Sequence, residues 1–248
     1  MSFVSSLHPG ANVTVIGASG AIGGALVALL ESDRHVSSVC ALSRNGSGRF
    51  HGKRRSMHID LTSEQSIEEA AVFASEKGPI DFVLVATGML HAGEGIRPER
   101  SMRELAADSM AQVLSINTIG PALVAKHFLP RLRPGYKTVF AALSARVGSI
   151  GDNRLGGWTS YRASKAALNM VLKTLSIEQS RRWPESVVVA LHPGTVDTEL
   201  SRPFTRRLAK ESLFSPETAA SRLLKVTDNL QPRDTGGFYA WDGRPIPF

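Results

Sequence analysis

Apolar positions along this chain follow two alternating rhythms. Short runs rich in β-branched and apolar residues predict strands at 12–17 (NVTVIG), 36–42, 55–59, 80–86 (IDFVLVA), 137–143, 186–191 and 237–241. Most are apolar enough to be buried on both faces, as in a parallel sheet. Between them, three-to-four-residue spacing predicts helices after residue 20, from Ser63 to about Lys77, over roughly 98–132, from Ser160 to 181, and from Ser215-Pro216 to about Asp228. Strands alternating with helices imply an α/β fold, a doubly wound parallel sheet flanked by helices. A single domain over 1–248 is expected, because no linker, repeat or low-complexity tract interrupts the pattern. Pro121 falls inside a helical stretch and has no N–H. The carbonyl of Asn117 therefore loses its partner four residues on, and the helix should bend there.

Composition narrows this picture only a little. The chain is 42% hydrophobic and 21% charged, an ordinary balance for a globular core. The single Cys40 lies in the strand VSSVCALS, cannot form an internal disulfide, and reads as a small buried hydrophobe in a reducing compartment. The start, MSFVSSLHPG, lacks the basic and apolar regions of a secretion signal. The longest nearly apolar run, 21–30, is about half a bilayer span. A cytoplasmic protein with no membrane partner is expected. The formal charge of +7 comes mainly from 44–55 and 202–210, without aromatic interleaving, so no nucleic-acid partner is expected. His58, His91, His127 and His192 lack metal-ligand spacing, and no metal is expected.

Three stretches carry chemistry. The first strand runs straight into GASGAIGG and then a helix, the context in which a glycine turn brings backbone against a pyrophosphate at a helix N-terminus. Gly17, Gly20 and Gly23 recur every three residues, a spacing unlike the usual G-x-G-x-x-G. The second strand ends in Ser43-Arg44, where an acid would bind an adenine-ribose 2′-hydroxyl. No acid occurs up to Met57, but Arg44, Arg49, Lys53, Arg54 and Arg55 do. Arg44, at the strand end, favours NADP(H), with NAD(H) the weaker alternative; the later four read as a solvated loop. Finally, Tyr161 and Lys165 stand one helical turn apart on one face. A free tyrosine has a pKa of about 10. A cation fixed beside it lowers that value toward neutrality and makes an acid–base group.

Together these residues resemble the short-chain dehydrogenase/reductase family over nearly the whole chain, and with it a Rossmann-type fold. The landmarks fall in order: GASGAIG, Asp60-Leu61, ATG at 86–88, NTIG at 117–120, Ser144, YRASK at 161–165 and HPGTVDT at 192–198. VATGMLH and SARVGSIGDNRLGGW are similar to the C-factor-like branch. The resemblance implies carbonyl–alcohol interconversion on a small to medium organic substrate. Tyr161 would be proton donor or acceptor, Lys165 would lower its pKa and hold the nicotinamide ribose, and Ser144 would hold the substrate oxygen. The freed Asn117 carbonyl would hold a water on a proton path to Lys165. Gly17, Ser19, Gly20, Ala21, Ile22, Gly23, Ser43 and Arg44 would line pyrophosphate and adenosine, and Asp60 and Leu61 the adenine. Ala86, Thr87 and Gly88 would face the cofactor's inner side, and Pro193, Gly194, Thr195, Val196 and Thr198 would cover the nicotinamide. A homodimer or homotetramer, paired through helices near 111–132 and 158–181, is also implied.

The chain departs from the family pattern at Ala21, where the family usually has glycine, and at 85–88, where VATG stands in place of NNAG; both changes keep small residues against the cofactor. Ser144 and Tyr161 are 17 residues apart, which lengthens the intervening loop. Loops 89–97, 145–158 and 198–214 should form the substrate mouth, with His91, Arg154 and Trp158 either reaching substrate or packing the loops. The alternative function is a cofactor-binding regulatory or signalling protein with little turnover. An epimerase or dehydratase is disfavoured by the short C-terminal region.

Overall fold

The computed structural model describes residues 2–46, 48, 50–93, 95–205 and 213–248. Among the described residues, eight strands form one sheet: β1 (Ala11–Ile16), β2 (Val36–Ser43), β3 (Phe50–His51), β4 (Arg54–His58), β5 (Phe82–Val85), β6 (Thr138–Leu143), β7 (Ser186–His192) and β8 (Phe238–Ala240). Their order is β3-β4-β2-β1-β5-β6-β7-β8, and every pairing is parallel except β3 with β4. The order reverses between β1 and β5, so a crevice opens beyond their carboxyl ends.

Strand side chains alternate between two cores, as a period of two requires. Phe140 and Ala142 of β6 join Ile67 and Ala71 of α2 (Glu64–Ser75), Phe128 of α4 (Gly120–Phe128) and Leu168 of α5 (Thr159–Arg182). Val139, Ala141 and Leu143 face the other way, toward Leu26 and Leu30 of α1 (Ala21–Ser32) and Leu223 of α7 (Pro216–Asn229). Ser63 and Ser215 cap α2 and α7 through their hydroxyls, and Pro216 opens α7.

The structure sharpens two expectations and corrects a third. The helical stretch at 98–132 opens with a 3-10 turn at Met102–Glu104 and continues into α3 (Ala107–Leu114); Glu99 lies ahead of it and binds the start of α5. The bend near Asn117 is a π turn over Ser115–Ile119 between α3 and α4, which absorbs the N–H that Pro121 lacks. The basic cluster after β2 is not a solvated loop where it is described. Lys53 donates to the Asp33 carbonyl at 2.7 Å and Arg54 pairs with Glu31 at 3.4 Å. Arg55 is buried, donates to the Phe73 carbonyl, pairs with Glu76 at 3.1 Å and lies 4.5 Å over the Phe73 ring. These residues pin a small hairpin, β3–β4, to the sheet edge; Arg49 lies outside the described residues. Cys40 is buried as expected, and burial pushes its thiol up to about 12.

Candidate active site

The turn after β1 is held so tightly that two of its residues must be glycine. Gly17 has φ +90°, and a Cβ there would lie 3.0 Å from the Ala86 carbonyl carbon. A Cβ on Gly23 would come within 2.1 Å of the Gly17 carbonyl oxygen. The helix α1 then starts with no capping side chain from Gly20 and no acid in its first turn. Its first amides therefore have no capping side chain, an arrangement that suits an anionic ligand.

Two cavities of about 520 and 720 Å³ open here and share Ser19, Gly20, Arg44, Ala86, Thr87 and Gly88. The smaller also touches Gly17, Ser43, Asp60 and Leu61; the larger touches Ala21, Ile22, Ser144, Tyr161, Lys165, Pro193 and Thr198. The buried Thr87 hydroxyl has no protein partner, which suits a ligand hydrogen bond. Asp60 turns its carboxylate to Thr62, accepting from the amide at 2.9 Å and the hydroxyl at 2.8 Å, and this lowers its pKa. Gly23 and Asn117 stand behind the lining. Gly194, Thr195 and Val196 also stand behind it: they fasten their loop, with Thr195 accepting from the Phe214 amide at 2.9 Å.

At the other end of the larger cavity, α5 presents Tyr161 and Lys165 on one buried face. Lys165 Nζ donates to the Leu143 carbonyl at 2.8 Å and lies 5.9 Å from the Tyr161 ring centroid. Asn117 is fully buried, not pointing to solvent. Its side chain accepts from the Met89 amide at 2.7 Å and donates to the Met89 carbonyl at 2.8 Å and to Ser164 Oγ at 3.0 Å. A Cβ on Gly88 would sit 3.7 Å from both Asn117 Oδ1 and Lys165 Nζ, so the three groups converge. Ser144 leaves β6 with its hydroxyl 2.7 Å from Asn169 Oδ1.

The electrostatics differ from the simple expectation of a cation lowering the phenol. Burial pushes the Tyr161 phenol up to about 12 and the Lys165 ammonium down to about 7. Desolvation by burial causes both shifts, and the ammonium gives its hydrogen bond to the Leu143 carbonyl. Tyr161 is therefore a neutral acid at physiological pH. Between about 7 and 10.5 the unfolded chain holds a proton that folded Lys165 has released, so this group's stabilisation grows with pH across that window and is lost as pH falls toward 7. Urea midpoints of the wild type should accordingly rise with pH relative to those of Lys165→Met. Parallel pH profiles for the two proteins would count against a depressed lysine.

Three further residues shape the site without a prior sequence signal being used. Ser164 bridges Asn117 and the Tyr161 carbonyl, its hydroxyl donating to the latter at 2.8 Å. Asn169 continues the four-residue spacing Tyr161, Lys165, Asn169, which could have revealed it. Its buried Nδ2 lacks a partner; turning the amide over would let that group donate to Ser144 and free the serine hydrogen. Glu99, 61 residues before Ser160, caps α5: its carboxylate accepts from the Ser160 amide at 3.2 Å and from the Ser160 hydroxyl, and its carbonyl accepts from the Trp158 amide at 2.6 Å. Nothing local in the sequence marks that pairing. Trp158 takes the left-handed conformation (φ +53°) and sets its ring edge-on to Tyr161, 6.4 Å between centroids. Arg154 is exposed and lines neither cavity.

The comparisons with known proteins agree with this geometry. The sequence profile of the short chain dehydrogenase family matches residues 11–209. The chain is 37% identical over 186 residues to 1-hydroxy-2-glutathionyl-2-methyl-3-butene dehydrogenase of Rhodococcus sp. (strain AD45), covering 75% of this chain and 76% of that protein. It is 36% identical over 140 residues to C-signal of Myxococcus xanthus, covering 56% of this chain and 78% of that protein. Among solved structures, the NADPH-bound carbonyl reductase from chicken fatty liver superposes with a TM-score of 0.81 at 26% identity, covering 96% and 99% of the two chains. With a matching profile over most of its length, an eight-stranded doubly wound sheet and a Tyr–Lys pair beside the glycine turn, this chain belongs to the short-chain dehydrogenase family of oxidoreductases.

Proposed function

We propose that the protein is an NADP(H)-preferring oxidoreductase that interconverts a carbonyl and an alcohol on a small to medium organic substrate. The observation that carries this reading is one groove holding an uncapped helix N-terminus with Arg44 at one end and buried Tyr161 and Lys165 at the other. The groove fits a dinucleotide: glycine backbone for close approach, free amides for a pyrophosphate, and a guanidinium for a 2′-phosphate. Bound nicotinamide would supply or accept the hydride. The remaining chemistry falls to this chain's side chains. Tyr161, protonated at neutral pH, donates its proton to the substrate oxygen during reduction. Lys165, with a pKa of about 7, exchanges protons with solvent near neutrality and restores the phenol. Ser144, its hydrogen freed by a turned Asn169 amide, donates to the same oxygen as charge develops there. Asn117 fixes the Met89 backbone and, through Ser164, the helix turn bearing Tyr161.

The likeness to the NADPH-bound chicken carbonyl reductase supports the cofactor, and the likeness to the Rhodococcus dehydrogenase supports an alcohol or carbonyl substrate bearing a polar substituent. The test is a pair of fluorescence titrations with NADPH and NADH. NADPH should bind at least about tenfold tighter, roughly 1.4 kcal/mol, and Arg44→Ala should remove most of that difference. Equal affinities would retire the 2′-phosphate argument. The likeness to C-signal favours a second reading, a cofactor-binding regulatory or signalling protein with little or no turnover. It fails if a carbonyl panel yields efficient NADPH-dependent reduction and Tyr161→Phe abolishes the biological role along with the turnover.

A further inference from the structure

Beyond the cofactor groove lies a separate cavity of about 620 Å³, lined by His91, Arg97, Arg100, Glu104, Trp158 and Phe204 among others. It adjoins the reaction centre in two ways. His91 also lines the smaller of the two cofactor-groove cavities, and Trp158 rests edge-on against the Tyr161 ring. The cavity's apolar wall is continuous: Phe204 packs on Trp158 at 5.1 Å and on His91 at 5.8 Å between ring centroids. His91 Nε2 lies 3.3 Å from the Glu199 carbonyl, tying the loop after β5 to the segment before α6 (Arg202–Thr205). The rim is cationic. Arg97 and Arg100 are both exposed, and among the described residues neither forms a side-chain ion pair. The one acid, Glu104, turns a carboxylate oxygen to the Arg100 backbone amide at 2.8 Å. Trp158 holds its place at the cost of a left-handed backbone, a conformation a bulky residue keeps only where its surroundings enforce it. Here Glu99 does so from below, by accepting the Trp158 amide.

From this arrangement we infer that the cavity is the distal substrate subsite, and that it selects carbonyl substrates carrying an anionic group, such as a carboxylate, on an apolar body. Aromatic rings take the body and the guanidinium groups of Arg97 and Arg100 at the rim take the anion, each with planar donors that match a carboxylate. Because the arginines are exposed, their attraction weakens as salt is raised. The inference depends on the proposed carbonyl chemistry only for the position of the substrate's reactive end.

The experiment uses ω-benzoylalkanoates of increasing chain length, each against its methyl ester, with wild type and the Arg97→Gln/Arg100→Gln double variant. NADPH oxidation gives kcat/KM, and calorimetry on the protein with NADP+ gives binding of the same compounds. For one chain length, wild type should prefer the acid about tenfold. The double variant should lose that preference and keep its activity on the ester. Equal handling of acid and ester by wild type, or a preference that survives the double substitution, overturns the subsite. If no compound is reduced, aryl ketones of this series are not turned over and the assigned position of the reactive carbonyl fails, while calorimetric discrimination of acid from ester still decides the subsite.

Discussion

Replacing Tyr161 by Phe should lower kcat for carbonyl reduction by about a hundred- to ten-thousand-fold, the contribution typical of a positioned general acid. NADPH affinity and the unfolding midpoint should stay near wild type. The physical ground for that separation is local. Burial alone shifts the phenol, to about 12, and no hydrogen bond to another protein group contributes. Removing the hydroxyl therefore leaves no protein donor or acceptor stranded, and the ring keeps its contact with Trp158. Rates on a panel of aldehydes and ketones, with NADPH titrations and thermal unfolding alongside, check all three parts. A variant that keeps reduction within about tenfold of wild type would show that the proton comes from another group. Such a result would also weaken the link drawn between the helix face of α5 and the chemistry.

The second large effect concerns the frame behind the site. Arg133→Ala should destabilise the protein by about 3–5 kcal/mol, because it strands a buried carboxylate. Asp81, fully buried at the start of β5, accepts from Arg133 Nε at 2.5 Å, from Arg133 Nη2 at 3.1 Å and from the Asn12 amide at 2.8 Å. That pair ties β1, β5 and the segment before β6 at the end of the sheet opposite the groove. The ion pair also raises the Arg133 pKa above its ordinary value. At about 2–4 °C per kcal/mol for a chain of this size, the melting temperature should fall on the order of ten degrees. Pairing the change with Asp81→Asn should recover part of the loss, since the amide oxygen can still accept from Asn12 and no charge is left buried. Calorimetric melts of the single and double variants check this. A double variant no more stable than Arg133→Ala would mean that packing, not the stranded charge, carries the effect.

Strand and helix order were legible because each element carries its period without help from the rest. The apolar runs at 12–16 and 186–191 had to be buried on both faces, and they are. The glycine turn was legible for a related reason: Gly17 and Gly23 mark places where any side chain would strike the neighbouring backbone. Pro121 announced a break in the helix near Asn117, because a missing N–H is a covalent fact. The hairpin at 50–55 was not legible, since the two residues of β3 are too few to show a period.

The candidate site divides in the same way. Tyr161 and Lys165 share a helix face by spacing alone, and the chain's similarity to a known family was written in motifs spread from 17 to 198. What those groups do electrostatically was decided by tertiary structure. Spacing predicts a cation beside a phenol; the fold buries both and turns the ammonium to the Leu143 carbonyl, so desolvation controls their pKa values. The same holds for Arg55, a member of a basic run in the sequence and a buried clamp on α2 in the fold. Glu99 capping α5, Asn169 against Ser144, and Arg97 with Arg100 beside Trp158 all join residues that local pattern leaves unrelated. Sequence by itself determined the periods, the breaks and the types of reactive group. Only the folded chain determined their partners and their exposure to water, because burial and long-range contact are properties of the packed whole.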